Sequence, residues 1–500
     1  FSGMVSLDGV ENIHNIIRGK KNAFEKTTNS LFGLKKQNVQ IIACCTIVKE
    51  NVYHLHNLLE WGKANGVYIR FRVAEFINRL YNDGLNFQIR NFDDYEIKHL
   101  VSFFHLLINE YENDESIKAT YYSILSILTG GSRITGCPYQ TLNAINLDSE
   151  GNFSFCAPKG NLHKTGDDIG KNIIANLEER THIIENKCNN CIHDYHSTYI
   201  PKINSIIESR NQYDDLMCYN HPLPFINDET PATEIDLKRM KTILLVGWYG
   251  TETAGDIAIL KGIVQEYLEV NPDLKFILFS LFPFYSKVNF KSLDRSIRIL
   301  DYHGKPSYDA ALESDAIVMA GGPLMDIPQT KMIAALFKNF YDQQKSRIIE
   351  GCGIGPLNIE DYKNNVIQIA KLASKISVRD SASKELLIEY GIKKEILVRS
   401  DPSTTFIKSL KLENQKQEKE KVIRCFFREL TNEYPQGISS ETAFKNIIGF
   451  IQKLLEWYPE NKIELLAMHY FPVGQDDREF AKRIVIAINN DRVSFDIKPR

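Results

Sequence analysis

Long apolar runs and an excess of either charge are both missing from this chain of 500 residues. No apolar run is long enough to cross a bilayer, so the sequence predicts no membrane span. The formal net charge of −3 at pH 7 gives no electrostatic basis for binding nucleic acid or an anionic membrane surface. Apolar and charged fractions of 43% and 25% are ordinary for a soluble globular protein, which is the class that remains.

Cysteine is also scarce. Nine cysteines in 500 residues are too few for a disulfide framework, which indicates a reducing, cytoplasmic compartment. The chain starts at Phe1 with neither a Met nor a signal-peptide pattern, and it stops at Arg500 just after a strand-like run. We therefore expect both ends to cut through folded domains.

Four of the cysteines are spaced like the ligands of a metal site. A Gly-x4-Cys unit beginning at Gly151 follows the first of them, and a Cys-x2-Cys pair supplies the last two. The segment around Gly151 alternates as a β-hairpin with its turn at 149–152. Two segments thus bring four thiolates to one point, which is typical of an iron–sulfur cluster or a structural zinc. The predicted ligands are Cys137, Cys156, Cys188 and Cys191.

The other cysteines and nearby histidines have plainer interpretations. Cys44 and Cys45 lie within a predicted strand and are expected in a core, and Cys218 has no local partners and is expected to be structural. His193 and His196 follow the Cys-x2-Cys pair and are expected to be solvated or bonded to the loop rather than to ligate metal.

The hydrophobic periodicity predicts an α/β protein. Strands alternate with helices in the first part of the chain, and this order implies parallel pairing with right-handed crossovers. The helices are predicted at about 22–36, 51–65, 95–112 and 116–129, with one more near 172–187. The predicted domains are 1–135 (α/β), 136–220 (Cys-rich), 221–239 (Pro-rich linker), 240–410 (α/β), 411–421 (charged linker) and 422–500 (start of a further α/β lobe).

The beginning of the chain carries a recognisable phrase. It consists of Ser6-Leu-Asp-Gly and His14-Asn-Ile-Ile-Arg-Gly, which a helix separates from Thr46-Ile-Val-Lys-Glu-Asn. In this order the segments resemble radical SAM enzymes with a C-terminal SPASM or twitch domain, and the resemblance covers about 1–195. The resemblance implies a partial radical SAM (β/α) barrel, a small SPASM-like domain holding an auxiliary [4Fe-4S] cluster, and a peptide or metabolite as substrate. It also implies S-adenosylmethionine contacts at the strand ends, where parallel α/β folds bind ligands. The residues that match are Ser6, Asp8, Arg18 and Asn51.

Two parts of that family's pattern are missing. The Cys-x3-Cys-x2-Cys loop that holds the radical-generating cluster is not in this sequence, nor are the two cysteines that usually follow the Cys-x2-Cys pair. The chain as given is therefore predicted to hold one cluster and not to cleave S-adenosylmethionine. That cofactor and its cluster are expected only in a longer gene product.

A glycine-rich loop opens the second α/β unit. Gly247-Trp-Tyr-Gly-Thr-Glu-Thr-Ala-Gly-Asp follows a strand at 242–246 and leads into a helix, which Asp256 is expected to cap. Glycines allow tight bends and close approach of a ligand, and the helix start offers free N–H groups to an anion. The loop is neither a Walker P-loop nor a good dinucleotide fingerprint.

Further loops follow the later strands in a set order. These loops are Ala320-Gly-Gly-Pro, Gly351-Cys-Gly-Ile-Gly-Pro, Ser377-Val-Arg-Asp and Ser400-Asp-Pro. Together they resemble the polysaccharide pyruvyl transferase family over about 240–480. The resemblance implies a GT-B-like, two-lobed α/β fold with the site between the lobes. It also implies transfer of the enolpyruvyl unit of phosphoenolpyruvate to a sugar hydroxyl pair, with a glycan or small molecule as acceptor. Such a site needs cations and N–H donors for the donor's two anionic groups, and a general acid.

The resemblance assigns roles to particular residues. Arg379 is the predicted anion ligand, with an ion pair to Asp380 as its alternative, and His469 is the second predicted catalytic residue. Asp256 has the alternative role of a plain helix cap. The family's Arg-Leu-His element is absent, so the chain as given is predicted to be inactive. The predicted substrate-binding residues are Gly250, Gly255, Asp256, Gly321, Gly322, Gly353, Gly355 and Arg428.

A second interpretation stays open at this point. The Cys-rich region is then a zinc-stabilised module, because four-cysteine zinc sites use similar spacing. The rest is then a nucleotide-sugar glycosyltransferase of GT-B architecture or a non-catalytic carbohydrate binder.

Overall fold

The computed structural model describes most of the chain, in two compact units. The described residues are 2–74, 91–193, 203–227, 229–231, 235–293, 295–410, 421–429, 438–473 and 476–498. The first unit spans Phe1–Ile203 and the second Asn204–Asp496. The predicted charged linker at 411–421 lies outside the described residues except for its last position. No helix in the described ranges is both long and apolar enough to traverse a bilayer.

The first unit contains a parallel sheet, as the strand–helix alternation predicts. Its described strands are β1 (Ser2–Ser6), β2 (Gln40–Ile47) and β3 (Ile69–Val73), paired in the order β1-β2-β3. The helices are α1 (Asn12–Arg18), α2 (Ala23–Lys36), α3 (Leu55–Asn65), α4 (Asp94–Leu106) and α5 (Glu115–Leu128). Gly66 ends α3 with a φ of 59°, a left-handed conformation that favours glycine. Cys44 and Cys45 are buried in β2, which confirms that they are core residues.

The Cys-rich part of the first unit is a small antiparallel sheet followed by two short helices. The elements are β4 (Asn146–Leu147), β5 (Asn152–Ser154), β6 (His163–Lys164), α6 (Ile169–Ala175) and α7 (Leu177–Asn186). The predicted hairpin is present, and Asp148 closes its turn by accepting the N–H groups of Glu150 and Asn152. The helix predicted near 172–187 is two helices, since the chain leaves helical geometry at Asn176.

The second unit begins with a parallel sheet buried on both faces. Its strand order is β14-β13-β12-β10-β7-β8-β9, and β11 pairs with the end of β12. Continuous apolar runs such as Ala316–Ala320 suit strands covered on both sides. The strands are β7 (Thr242–Val246), β8 (Lys275–Ser280), β9 (Ile297–Asp301), β10 (Ala316–Ala320), β11 (Pro323–Leu324), β12 (Ser346–Ile354), β13 (Lys375–Val378) and β14 (Ile396–Val398).

Helices cover both faces of this sheet. They are α8 (Ile203–Leu216), α9 (Ala254–Val270), α10 (Pro283–Asn289), α11 (Lys305–Glu313), α12 (Gln329–Asp342), α13 (Glu360–Leu372), α14 (Ser381–Glu389) and α15 (Ser403–Ser409). The strand order reverses once: β8 and β9 lie on one side of β7, and β10 lies on its other side. The point between β7 and β10 is therefore the topological switch point, where open α/β sheets bind ligands beyond the carboxyl ends of their strands.

A smaller parallel lobe completes the second unit. Its described strands are β15 (Val422–Phe426), β16 (Lys462–Leu466) and β17 (Val493–Phe495), in that order, with α16 (Ser440–Trp457) and α17 (Asp477–Ile488). The two helices pack on the sheet through Ile451, Leu454, Phe480 and Ile484.

The predicted Pro-rich linker at 221–239 is docked rather than solvated over its first part. We call residues 223–227 and 229–231 the strap. Leu223 and Ile226 pack on the core of the sheet, and the Thr230 hydroxyl lies within hydrogen-bond distance of three carbonyl oxygens at the end of α13. The stretch before it also joins the second unit, because Met217 and Tyr219 are part of the same core.

Candidate functional site

The glycine-rich loop after β7 starts α9 with a capping box. The Thr253 side chain accepts the N–H of Asp256 at 3.4 Å, and the Thr253 N–H donates to Asp256 Oδ2 at 2.9 Å. The helix begins at Ala254, so Asp256 lies inside its first turn. The prediction that Asp256 is the cap is therefore wrong: Thr253 is the cap, and Asp256 completes the box.

The loops after β7 and β10 meet at the switch point. A Cβ added to Gly322 would lie 3.6 Å from Asp256 Oδ1, and one added to Gly321 would lie 1.9 Å from Ile259 Cγ2. Both glycines have positive φ, 78° and 72° for Gly321 and Gly322. Glycine at 321 is therefore required for β10 to approach α9, and Gly322 brings its backbone beside the Asp256 carboxyl group.

The two other glycines of the first loop have different surroundings. A Cβ on Gly250 would lie 2.4 Å from the backbone nitrogen of Phe282, so Gly250 allows the loop to pack on the segment after β8. Gly255 lies in the first turn of α9, where a Cβ would be 3.6 Å from Thr253 Oγ1. An anion at this helix start would therefore reach the Gly255 N–H, whereas the N–H groups of Ala254 and Asp256 already donate to Met468 O and Thr253 Oγ1.

Arg379 lies against Gly353 at the carboxyl end of β12. A Cβ on Gly353 would come within 2.7–2.8 Å of three guanidinium atoms, so a larger residue here would displace the Arg379 side chain. The Arg379 side chain is 37% exposed, and its ion pairs to Asp380 and Asp401 are long, at 3.6 and 3.8 Å. Asp380 itself caps α14 by accepting the Ser383 N–H at 2.7 Å. The guanidinium thus has both exposure and donor capacity for an anion. Gly355 lies beyond it, and its N–H donates to Leu324 O at 2.8 Å.

The smaller lobe contacts the glycine-rich loop through His469. This side chain is buried, and its Nε2 is 2.9 Å from the Thr251 carbonyl oxygen. The His469 N–H donates to Asp477 Oδ2 at 2.9 Å. Burial raises the pKa of Asp256, while hydrogen bonds from Thr253 and then the neighbouring His469 and Arg428 side chains lower it. The structure thus brings both predicted residues of the smaller lobe near Asp256.

An aromatic group supports that contact. Phe282 and Tyr285 lie at the start of α10, and their rings are 5.0 and 4.3 Å from the Phe471 ring. The Tyr470 hydroxyl donates to the Asn289 side chain. The contact between the two lobes is therefore packed as well as hydrogen-bonded.

Glu252 is a buried acid in the loop that the sequence analysis did not single out. It is fully buried, and Oε2 accepts the Gly250 N–H at 2.8 Å. The Ser286 hydroxyl also faces this carboxyl group and, with the Gly250 N–H, favours its charged form. Burial raises the pKa of this carboxyl group to about 7, so it is partly protonated at neutral pH. The only signal in the sequence is an acid between two glycines of a predicted ligand loop.

The predicted cofactor residues of the first unit lie at the ends of β1 and β2. Arg18 pairs with the buried Asp8 at 2.5 Å, and Asp8 Oδ1 accepts the Thr46 N–H at 3.1 Å. Asn51 is buried, and its amide donates to Asp8 O and Thr46 O, both at 2.9 Å. Asp8, Arg18 and Asn51 are thus gathered in one cluster that ties the two strand ends together. Ser6, the last residue of β1, is exposed.

The four predicted thiol ligands line one cavity. Burial raises the pKa values of Cys137 and Cys188, and raises that of Cys156 to about 12. The charges of neighbouring thiols raise them further. Arg133 holds the last pair in place, donating from Nη1 to Cys191 O at 3.0 Å and His193 O at 2.7 Å. The four cysteines that share the cavity are Cys137, Cys156, Cys188 and Cys191.

Four thiols are the donor set of an iron–sulfur cluster and of a structural zinc alike. Within the described ranges, no group of three or more His, Cys, Asp or Glu residues stands close enough to hold a metal ion. His193 also lines the cavity, and His196 lies outside the described residues.

Comparison with known proteins assigns most of the second unit to a family. Residues 254–499 match the polysaccharide pyruvyl transferase family model. That stretch is therefore a polysaccharide pyruvyl transferase domain, and the family predicted from the order of the glycine loops is confirmed over this range. The first turn of α9, Arg379, Arg428 and His469 all lie within it.

Other likenesses are more distant. The sporulation killing factor maturation protein SkfB of Bacillus subtilis (strain 168) is 29% identical over 77 residues, which are 15% of this chain and 18% of that protein. The chain thus matches less than a fifth of the length of this curated relative.

Two solved structures of UDP-N-acetylglucosamine 2-epimerases are weakly similar to this chain. A putative UDP-N-acetylglucosamine 2-epimerase from Listeria monocytogenes has a TM-score of 0.36 at 15% identity, covering 52% of this chain and 69% of that one. UDP-GlcNAc 2-epimerase from Neisseria meningitidis has a TM-score of 0.35 at 14% identity, covering 52% and 72%.

Proposed function

We propose that the second unit belongs to an enzyme that transfers the enolpyruvyl group of phosphoenolpyruvate to a pair of sugar hydroxyls, the chain as given serving to bind the donor. The observation that carries this proposal is the family match over residues 254–499. The two parallel α/β lobes would act as a GT-B-like pair, with the substrates at the edge where Gly322, Asp256 and Arg379 lie. The acceptor would be a glycan or a small hydroxylated molecule, and the protein would work in the cytoplasm.

The reaction defines what this edge must supply. Protonation of the donor's methylene carbon makes an oxocarbenium-like carbon, one sugar hydroxyl adds to it, phosphate leaves, and the second hydroxyl completes the ketal. Both hydroxyl protons leave as the two carbon–oxygen bonds form. Phosphate and carboxylate groups are both anionic, so cations and free N–H groups would hold them.

The chain offers such groups at three places. Arg379 would grip one anion with two N–H bonds, because its guanidinium is part-exposed beside Gly353. The N–H group of Gly255 in the first turn of α9 would meet the other, since the Asp256 N–H already donates to Thr253 Oγ1. Arg428 would add positive charge from the smaller lobe. His469 would act through its hydrogen bond to Thr251 O, fixing the loop in place.

For the first unit we propose a radical SAM- and SPASM-like module with one auxiliary [4Fe-4S] cluster. The four thiols that share one cavity support the cluster, and its role would be electron transfer or substrate binding. Ser6, Asp8, Arg18 and Asn51 would lie on the S-adenosylmethionine side, and a peptide or metabolite would be the substrate. The relative SkfB is a maturation protein, which agrees with such a modifying role.

Calorimetry with phosphoenolpyruvate tests the transferase proposal. We expect the chain to bind phosphoenolpyruvate, and R379M to bind it at least about tenfold more weakly, since charge-assisted hydrogen bonds are lost. R298M is the matched control, because Arg298 is an exposed arginine on the edge strand β9. Binding of nucleotide sugars without phosphoenolpyruvate would instead support the glycosyltransferase interpretation.

Metal analysis of anaerobically purified protein tests the cluster. We expect about four iron atoms per chain, a brown colour, and loss of both in C156S. One zinc per chain with no iron would support the zinc-stabilised interpretation instead.

A further inference from the structure

A cavity lies at the edge of the main sheet opposite to the glycine loops. It is formed where the strap crosses the start of β12, and its volume is about 560 Å³. Its lining includes Ser346 at the beginning of β12 and Ser374 just before β13. Small-molecule sites have volumes of about 300–1,000 Å³, so the cavity has the size of a ligand site. It is distinct from the phosphoenolpyruvate edge, because the two lie at opposite ends of β12.

Arg347 contributes a buried positive charge to this cavity. The residue is 7% exposed, and the described residues offer it no carboxylate partner. Its Nε donates at 2.6 Å to Leu372 O, at the end of α13, and its Nη1 donates to Lys345 O. These two hydrogen bonds hold the guanidinium beside the end of α13. Nη2 has no hydrogen-bond partner in the described part of the chain. Nη2 is therefore open to the cavity rather than enclosed in the protein, and a guanidinium nitrogen with free N–H groups is a favourable site for an anion.

Neutral polar groups surround this cation. Gln344, Ser346 and Asn227 line the cavity, and their side chains make no hydrogen bond with described residues. The Tyr341 ring, which lies 5.3 Å from the Arg347 guanidinium carbon, lines it as well. Amides and hydroxyls beside an aromatic ring suit a ligand that carries several hydroxyl groups on an apolar ring.

Arg347 is the positive charge of the described lining that is open to a ligand, because Lys345 Nζ already donates to the Leu312 carbonyl oxygen. Lys345 lines the cavity together with Arg347, and Glu229 is the one carboxylate among its described lining residues. Both Glu229 oxygens already accept backbone N–H groups, from Lys393 at 2.5 Å and Lys394 at 3.0 Å. These two hydrogen bonds fix the strap and leave the Glu229 carboxylate little capacity to bind a cation. An anionic ligand is therefore favoured over a neutral or cationic one.

We propose that this cavity binds an anionic monosaccharide unit, with its carboxylate or phosphate on Arg347 and its hydroxyls on Gln344, Ser346 and Asn227. The proposal rests on the proposed function in one respect: the ligand is taken to be a sugar because the proposed acceptor is a glycan. The site would hold an acidic sugar away from the reacting edge, which would keep a long acceptor bound between turnovers.

Ligand-observed NMR with three probes tests the proposal. The probes are glucuronate, glucose 1-phosphate and glucose, each measured with saturating phosphoenolpyruvate present so that the opposite edge is occupied. We expect at least one anionic probe to bind, and neutral glucose to bind about tenfold more weakly or not at all. Glucuronate and glucose 1-phosphate together distinguish a carboxylated sugar from a sugar phosphate.

Variants locate the binding site. Because Arg347 also binds carbonyl oxygens, R347M is compared with the double variant Q344A/S346A, and circular dichroism checks that both are folded. We expect each to weaken binding of the anionic probe by about tenfold, with R298M unchanged. Equal binding of glucose, or unchanged binding in both variants, would overturn the proposal. Loss of binding in R379M alone would place the sugar at the phosphoenolpyruvate edge and overturn it too, while leaving the proposed function standing.

Discussion

Glu252 should make the stability of the second unit depend on pH near neutrality. Its carboxyl group has a usual pKa of 4.5 that burial raises to about 7 in the folded protein. The folded state therefore holds a proton that the unfolded state releases. This contribution to stability is fully present below pH 4.5 and is lost as the pH rises to 7.

The size of the effect follows from the shift. A difference of about 2.5 pKa units corresponds to about 3 kcal/mol, an upper value because a loop can relax around the charge. E252Q keeps an acceptor for the Gly250 N–H but cannot ionise. We therefore expect E252Q to be more stable than the native chain at pH 8, by up to about 3 kcal/mol, and similar to it at pH 5.

Fluorescence of Trp248 reports on this region during urea unfolding. Trp248 lies in the same loop, and replacing Trp61 and Trp457 by Phe in every sample leaves it as the remaining tryptophan. Following one loop matters because a chain of two units need not unfold in one step. E385Q is the matched control, since Glu385 is exposed on α14 and should leave the pH profile unchanged. An E252Q profile that falls between pH 5 and 8 as steeply as the native one would refute the reasoning.

Three further predictions concern single contacts. T253A removes the cap of α9 and should lower the stability of the second unit by about 1 kcal/mol in urea unfolding, whereas T253S should retain most of it. G353A places a Cβ within 2.8 Å of the Arg379 guanidinium and should weaken phosphoenolpyruvate binding in calorimetry without preventing folding. G262A places a Cβ 1.9 Å from Pro402 O, where α9 packs on α15, and should lower the thermal unfolding temperature more than G449A, whose glycine has no neighbour within 4 Å.

The central strands of the main sheet could be predicted because they are continuous apolar runs. Ala316–Ala320 and Thr242–Val246 form strands where the sequence places them, since residues buried on both faces leave an almost unbroken apolar signal. The position of the site could be predicted for a related reason: loops that follow parallel strands lie at one edge. The approach of Gly353 to Arg379 follows from this, although their distance could not.

Contacts between distant segments could not be predicted in the same way. The sequence places Asp256 at a helix start but does not show that Thr253, three residues earlier, is the cap. It marks the strap as polar and Pro-rich, yet Thr230 and Glu229 bind backbone groups more than 140 positions later in the chain. The contact of His469 could not be predicted either, because its partner is the backbone carbonyl oxygen of Thr251. Every residue type has such an oxygen, so the sequence does not mark it.

The glycine-rich loop links ligand binding to the contact between the lobes. Thr251 provides the carbonyl oxygen that His469 binds, and two residues later Thr253 begins the helix whose first turn would meet an anion. Glu252 lies between them, fully buried. A donor bound at the first turn of α9 therefore cannot displace this loop without disturbing the hydrogen bond to the smaller lobe. For this reason the protonation of one buried acid, the position of the smaller lobe and the affinity for the donor should change together.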